Sequence, residues 1–281
     1  MRTLFIGIIL ISKLTNAQSP FDAIESAHWH QASNTWFVSS LGGGKVTLEK
    51  DGYGWLTRLD ENGKVIKDKW IEGLNAPTGI YSTGDFLYVA DRGEVIEISV
   101  KEGKILRKIK LKDSEFINDV AAAENGDVYV SDTFKDRIYL IRKGKDAEVF
   151  IESSKLEYPN GLFIDGDYLI VATWGPMIDK STFTTSKKGK VLKVNLQTKE
   201  IMNLGSGAPI ANFDGIVKVG NYYYGTDWID GKLLKISETG SFITVAEGFY
   251  QLADLGYNAQ KKVLGIPEMS SNRIYFIYPS E

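Results

Sequence analysis

Short apolar runs ending in Asp or Thr return along this chain at a nearly regular interval, and that repeat restricts the fold more than any other feature. The runs are Phe86-Leu87-Tyr88-Val89-Ala90-Asp91, Val128-Tyr129-Val130-Ser131-Asp132, Tyr168-Leu169-Ile170-Val171-Ala172-Thr173 and Tyr222-Tyr223-Tyr224-Gly225-Thr226-Asp227. Their alternation and their β-branched and aromatic content mark strands. Each follows a turn such as Asn125-Gly126-Asp127 or Asp165-Gly166-Asp167, whose residues accept positive φ at little cost. Upstream of each turn stands another short element. Setting Glu25, Thr78, Asn118, Asn160, Asp214 and Ala253 as equivalent gives spacings of 53, 40, 42, 54 and 39. A period near 40 with two longer units predicts an all-β, six-bladed β-propeller with two loop insertions.

The last unit has room for only three strands, near Leu255, at residues 263–266 and at residues 273–278. Its fourth strand is expected from the segment ahead of Glu25, which would close the ring and remove its sheet edges. The insertions, residues 41–54 and 175–189, both follow a second strand. In a propeller that connection emerges where first strands begin, so both should overhang one end of the channel. Long ordered loops of this kind are more often functional than not. The triple glycine at residues 42–44 is no phosphate loop, since no helix with Lys-Ser/Thr follows it.

The N-terminus reads as a secretory signal, with Arg2, an apolar stretch from Leu4 to Ile11, and cleavage after Ala17. The stretch is too short for a bilayer span of about 20 residues. Residues 1–17 are therefore assigned to the signal and 18–281 to a single propeller domain, exported to a periplasm or secreted. The chain has no cysteine, which excludes disulfides, thiolate chemistry and a lipoprotein anchor. A net charge of -3 gives no basic face for nucleic acid. The basic run from Lys101 to Lys112 alternates Ile and Leu with Lys and Arg, as a strand with one solvated face does.

First strands line the channel of a propeller, so Glu25, Asn118, Asn160 and Asp214 should converge. Two carboxylates in one ring repel by several kcal/mol at an effective dielectric of about 20. Either one carboxyl takes a proton or a cation sits among them. Carboxamide and carboxylate oxygens suit Ca²⁺, with Mn²⁺, Mg²⁺ or Zn²⁺ as alternatives and zinc the poorest match in the absence of Cys. A water-filled channel lined by polar residues is the competing reading.

Glu25-Ser26-Ala27-His28-Trp29, Asn118-Asp119, Pro159-Asn160-Gly161-Leu162 and Asp214-Gly215 stand in the order of the signature stretches of the gluconolactonase/regucalcin family, and the chain resembles that family from about residue 22 onward. The fold also resembles diisopropyl fluorophosphatase and, more distantly, the paraoxonases. The resemblance implies one catalytic divalent cation in the channel, with Glu25, Asn160 and Asp214 as ligands. Asn118 would be a ligand or would hold water and substrate. The sequence departs from the family at Phe116, where members commonly carry Arg, and at His30, where Asp is usual. With Tyr158, Trp174, Met177 and Trp228, Phe116 predicts an aromatic pocket mouth less suited to sugar acids.

The expected activity is metal-dependent hydrolysis of a small-molecule lactone or related ester or phosphoester. Asp214 would serve as general base, water-orienting group or nucleophile, and Asn118 would assist. The alternative is a non-catalytic secreted propeller that binds a ligand or partner protein around a structural metal. No Gly-x-Ser-x-Gly elbow exists for a serine hydrolase. His28 and His30, the only histidines, form an isolated pair, and Asp91, Asp132 and Asp227 are expected to bond turn amides.

Overall fold

The computed structural model describes residues 8–9, 19–43, 50–176 and 179–279. Six four-stranded antiparallel sheets follow one another along the chain and close into a six-bladed β-propeller. The innermost strands are Ile24–His30, Pro77–Thr83, Ile117–Ala122, Pro159–Asp165, Phe213–Val219 and Gly256–Asn258. The first five blades run outward in chain order. In the sixth, Gly256–Asn258, Val263–Glu268 and Arg273–Ile277 are completed on the outside by Ile8–Ile9, which pairs with Ile277 and Phe276. The expected N-terminal closing strand is thus drawn from within the expected signal segment. The remainder of that segment, with its cleavage point at Ala17, lies outside the described residues.

Apolar side chains alternate along each strand, so every blade presents an apolar face to both neighbours. The result is a separate hydrophobic core at each interface between blades. One packs Val89 and Leu87 with Phe37 and Leu56, the next Val95 and Tyr88 with Val120 and Tyr139, and so on around the ring to Trp36, Ile24 and Phe276. Burying each such side chain is worth roughly 1.5–3 kcal/mol, and it holds the inner strands at set angles about the channel. Outer strands solvate one face, as in Lys104–Lys110, where Ile109 is buried and the lysines are exposed.

Regular pairing breaks at the same place in five blades. The register shifts between Ile24 and Ala27, Pro77 and Ile80, Ile117 and Val120, Pro159 and Leu162, and Phe213 and Ile216. Each bulge therefore contains the equivalent residue of the repeat: Glu25, Thr78, Asn118, Asn160 or Asp214. A bulge bends its strand and re-aims a side chain. The amides it frees are caught by hydroxyls of the second strand. Ser26 N–H donates to Ser39 Oγ, Asp119 N–H to Ser131 Oγ and Gly215 N–H to Thr226 Oγ1, each at 2.9 Å.

Candidate active site

Glu25, Asn118 and Asp214 line one cavity at the end of the channel, and Asn160, 1% exposed, is not part of the lining. The Asn160 Nδ2 amide donates to Asp214 Oδ1 at 2.8 Å. Two buried acceptors in this group, Glu25 Oε2 and Asn160 Oδ1, have no donor. Buried polar atoms are nearly always bonded, so these two oxygens, each on a side chain that interacts with Asp214, call for a partner such as water, a proton or a cation. Burial first, and then the Asp214, Asp254 and Asp119 charges, hold the Glu25 carboxyl well above the usual carboxylate range. Burial and the Asp254 charge push Asp214 up to about 8, against the lowering by Asn160. Among the described residues, no three His, Asp or Glu side chains are grouped to hold an ion by themselves. A cation here would need the carboxamide oxygens as well as Glu25 and Asp214, an all-oxygen set that suits a hard ion.

Backbone approaches backbone closely below this floor. A Cβ on Gly161 would stand 2.5 Å from Asp214 O, and one on Gly215 would stand 2.4 Å from Asp254 Oδ1. The glycine after Asn160 and the glycine after Asp214 therefore let neighbouring inner strands close up.

A second ring surrounds the first. The residue that follows each second strand is Leu41, Arg92, Thr133, Trp174, Trp228 or Met269, and all six line the cavity. The strand ends are held in place by the residues that precede them. Asp91 accepts from Asn75 and Ala76 amides, Asp132 from Glu115 and Phe116, and Asp227 from Asn212 and Asp230. These aspartates do the turn-bonding work that their positions predicted.

Phe116, Trp174 and Trp228 line the cavity. Tyr158 does not. The backbone is left-handed at Glu157 and Tyr158, with φ of 48° and 61°, and turns the chain into the Pro159 strand. Tyr158 instead receives the Trp174 N–H at its carbonyl and donates its own N–H to Asp136. Met177 lies outside the described residues. Two aromatic residues of the wall went unread, Phe134 on the short 3-10 turn after Asp132 and Phe183 on the long insertion. The signal for the ring was in the repeat, since its members share one phase. Phe183 had no such signal, because its place depends on how the loop lies across the mouth.

The two histidines sit elsewhere. His28 lines a cavity of about 340 Å³ at the other end of the channel and bonds Ser82 Oγ at 2.7 Å, while His30 bonds Ser33 Oγ and Gly84 O. Asp119 and Asp254 line that opposite cavity. Asp119 accepts from Leu162 N–H in the next blade at 2.6 Å, and Asp254 accepts from Ser26 Oγ at 2.6 Å. Both carboxylates staple neighbouring blades together.

The fold can be compared with solved structures. Virginiamycin B lyase from Staphylococcus aureus, in a catalytically inactive histidine-to-alanine form with quinupristin, superposes at TM-score 0.61 with 13% identity, covering 98% of this chain and 99% of that one. A gluconolactonase from Xanthomonas campestris superposes at TM-score 0.65 with 14% identity over 92% of this chain and 88% of that one. At such identity the likeness is one of fold. No protein-family model matches the sequence, and no curated protein matches it.

Proposed function

We propose that this chain is an exported hydrolase of a lactone or related ester or phosphoester, working with one divalent cation, calcium by best fit. The observation that carries the reading is the pair of donorless buried oxygens, Glu25 Oε2 and Asn160 Oδ1, beside Asp214 on the floor of a cavity with an aromatic mouth. Glu25, Asn160 and Asp214 would hold the ion, and Asn118 would share in holding it or would orient substrate. When bound, the cation would polarise the scissile carbonyl and stabilise negative charge developing on its oxygen.

The remaining chemistry belongs to the chain. Asn160 holds Asp214 Oδ1, which leaves Oδ2 to take or align a proton of the attacking water. Asn118 lines the same space and can donate through its amide to an oxygen of the substrate. The ring of Leu41, Trp174, Trp228 and Met269 keeps bulk water from the floor, where fixed dipoles act with greater strength.

The shared fold with a gluconolactonase supports lactone chemistry. A lyase reading has less support, because loss of a histidine accompanies inactivity in the S. aureus protein and both histidines here stand away from the Glu25 cavity. The test is a lactone and ester panel on purified protein stripped of metal, then restored with Ca²⁺, Mn²⁺, Mg²⁺ or Zn²⁺. Hydrolysis that returns with one ion is expected. Hydrolysis indifferent to chelation would overturn the mechanism, and ion binding without turnover of any ester would favour the non-catalytic alternative.

A further inference from the structure

We propose that the substrate carries an apolar acyl chain or flat ring beside its carbonyl, not a row of hydroxyls; this rests on the hydrolytic reading above. Phe183 is the hub of the wall. Its ring lies 6.3 Å from Phe116, 6.1 Å from Phe134, 6.2 Å from Trp174 and 6.3 Å from Trp228. Phe116 stacks on Phe134 at 4.9 Å, and Trp174 meets Trp228 at 5.4 Å. The loop that delivers Phe183 is tied down, for Trp174 Nε1 donates to Phe183 O at 3.0 Å and Asn212 Nδ2 donates to Trp174 O and to Thr185 Oγ1. The five rings form a built surface rather than scattered surface aromatics.

The cavity that the rings line together with Glu25, Asn118 and Asp214 is about 50 Å³. Since one water needs about 10–15 Å³ on that measure, the cavity admits the reacting group and a few waters. The rest of the substrate must lie against the rings. Polar help on that wall is scarce. Thr133 already donates its hydroxyl to Pro159 O at 2.8 Å, and Arg92, which keeps contacts within the protein, is the one cationic side chain among the described residues of the lining. Against the five rings themselves a substrate hydroxyl would lose water and gain no partner, which costs a factor of about ten or more each. A methylene placed there would gain roughly fourfold.

The experiment has two arms. In the first, kcat/KM is measured with calcium present for γ-butyrolactone, its homologues with longer alkyl branches, a benzo-fused lactone and gluconolactone. A rise of roughly fourfold per methylene, with gluconolactone at least about tenfold below the alkyl homologues, is expected, and Phe183→Ala should flatten the rise while Phe183→Leu keeps most of it. The second arm follows quenching of tryptophan fluorescence by the corresponding lactams, which bind but resist cleavage. Turnover that favours gluconolactone would overturn this inference and leave the hydrolase standing. Absent turnover, with lactam binding that tightens with chain length and weakens in Phe183→Ala, would support the apolar site and sink the hydrolase. Neither turnover nor length-dependent binding would sink both.

Discussion

Asp214 is where charge, geometry and chemistry meet at the scale of one residue. Replacing it by Asn keeps an oxygen on the floor but removes the group that takes or aligns the proton. Asp214→Asn is expected to retain calcium by titration calorimetry and to lose turnover by a factor of about 10²–10⁴; full activity would exclude Asp214 from proton handling. The raised carboxyls also make a prediction for pH. An acid whose folded pKa lies above its unfolded value binds its proton more tightly when folded, so its stabilising effect is complete below the unfolded pKa and fades as pH rises. For Asp214 the window runs from 3.8 to about 8, and Glu25 acts in the same sense. In chelator, the unfolding temperature should therefore decline across that window. Calcium at about a hundred times its dissociation constant should add about 2.7 kcal/mol, most visibly at the alkaline end. A melting profile that calcium leaves unchanged at every pH would count against the cation site.

The bulged inner strand is the element on which the site depends. Thr226 on the second strand of blade five catches the Gly215 amide next to Asp214, and both are fully inside the protein. Thr226→Ala would strand that buried N–H at a cost of about 1–3 kcal/mol, whereas Thr226→Ser keeps the hydroxyl. Denaturant unfolding should rank Ser above Ala, and calcium affinity should fall with Ala because the bulge no longer sets the Asp214 side chain. Equal stability for the two variants would show that the hydroxyl does not hold the bulge. Gly161 makes a comparable demand, since any Cβ there meets the Asp214 backbone of the adjoining blade.

For the molecule as a whole, Ile8–Ile9 is the outermost strand of the sixth blade and lies in the same segment whose composition reads as an export signal. A chain that begins at Gln18 still has the three inner strands of that blade and all six interfaces between blades. It is therefore expected to fold and to bind calcium as the longer chain does, while exposing Arg273–Ile277 as a sheet edge prone to pairing. Light scattering at increasing concentration should show more association for the shorter chain, and calorimetry should show the same calcium affinity. Weaker calcium binding in the shorter chain would mean that the outer strand supports the floor.

Much of this protein was legible in the residues alone. Strand alternation, turn glycines and a period near 40 specify six blades, because each records a local preference repeated often enough to fix the count. The equivalence of Glu25, Asn118, Asn160 and Asp214 followed from the same phase. What the repeat could not reveal was the bulge at each of those positions, since a register shift depends on which partner the neighbouring strand offers, and Ser39, Ser131 and Thr226 lie on those partners. Nor could it show that Asp119 and Asp254 brace the opposite mouth, or that Phe183 crosses the gap to join four other rings while Tyr158 stays off the wall. Those placements depend on residues dozens of positions apart being packed against one another, and only the closed ring brings them together.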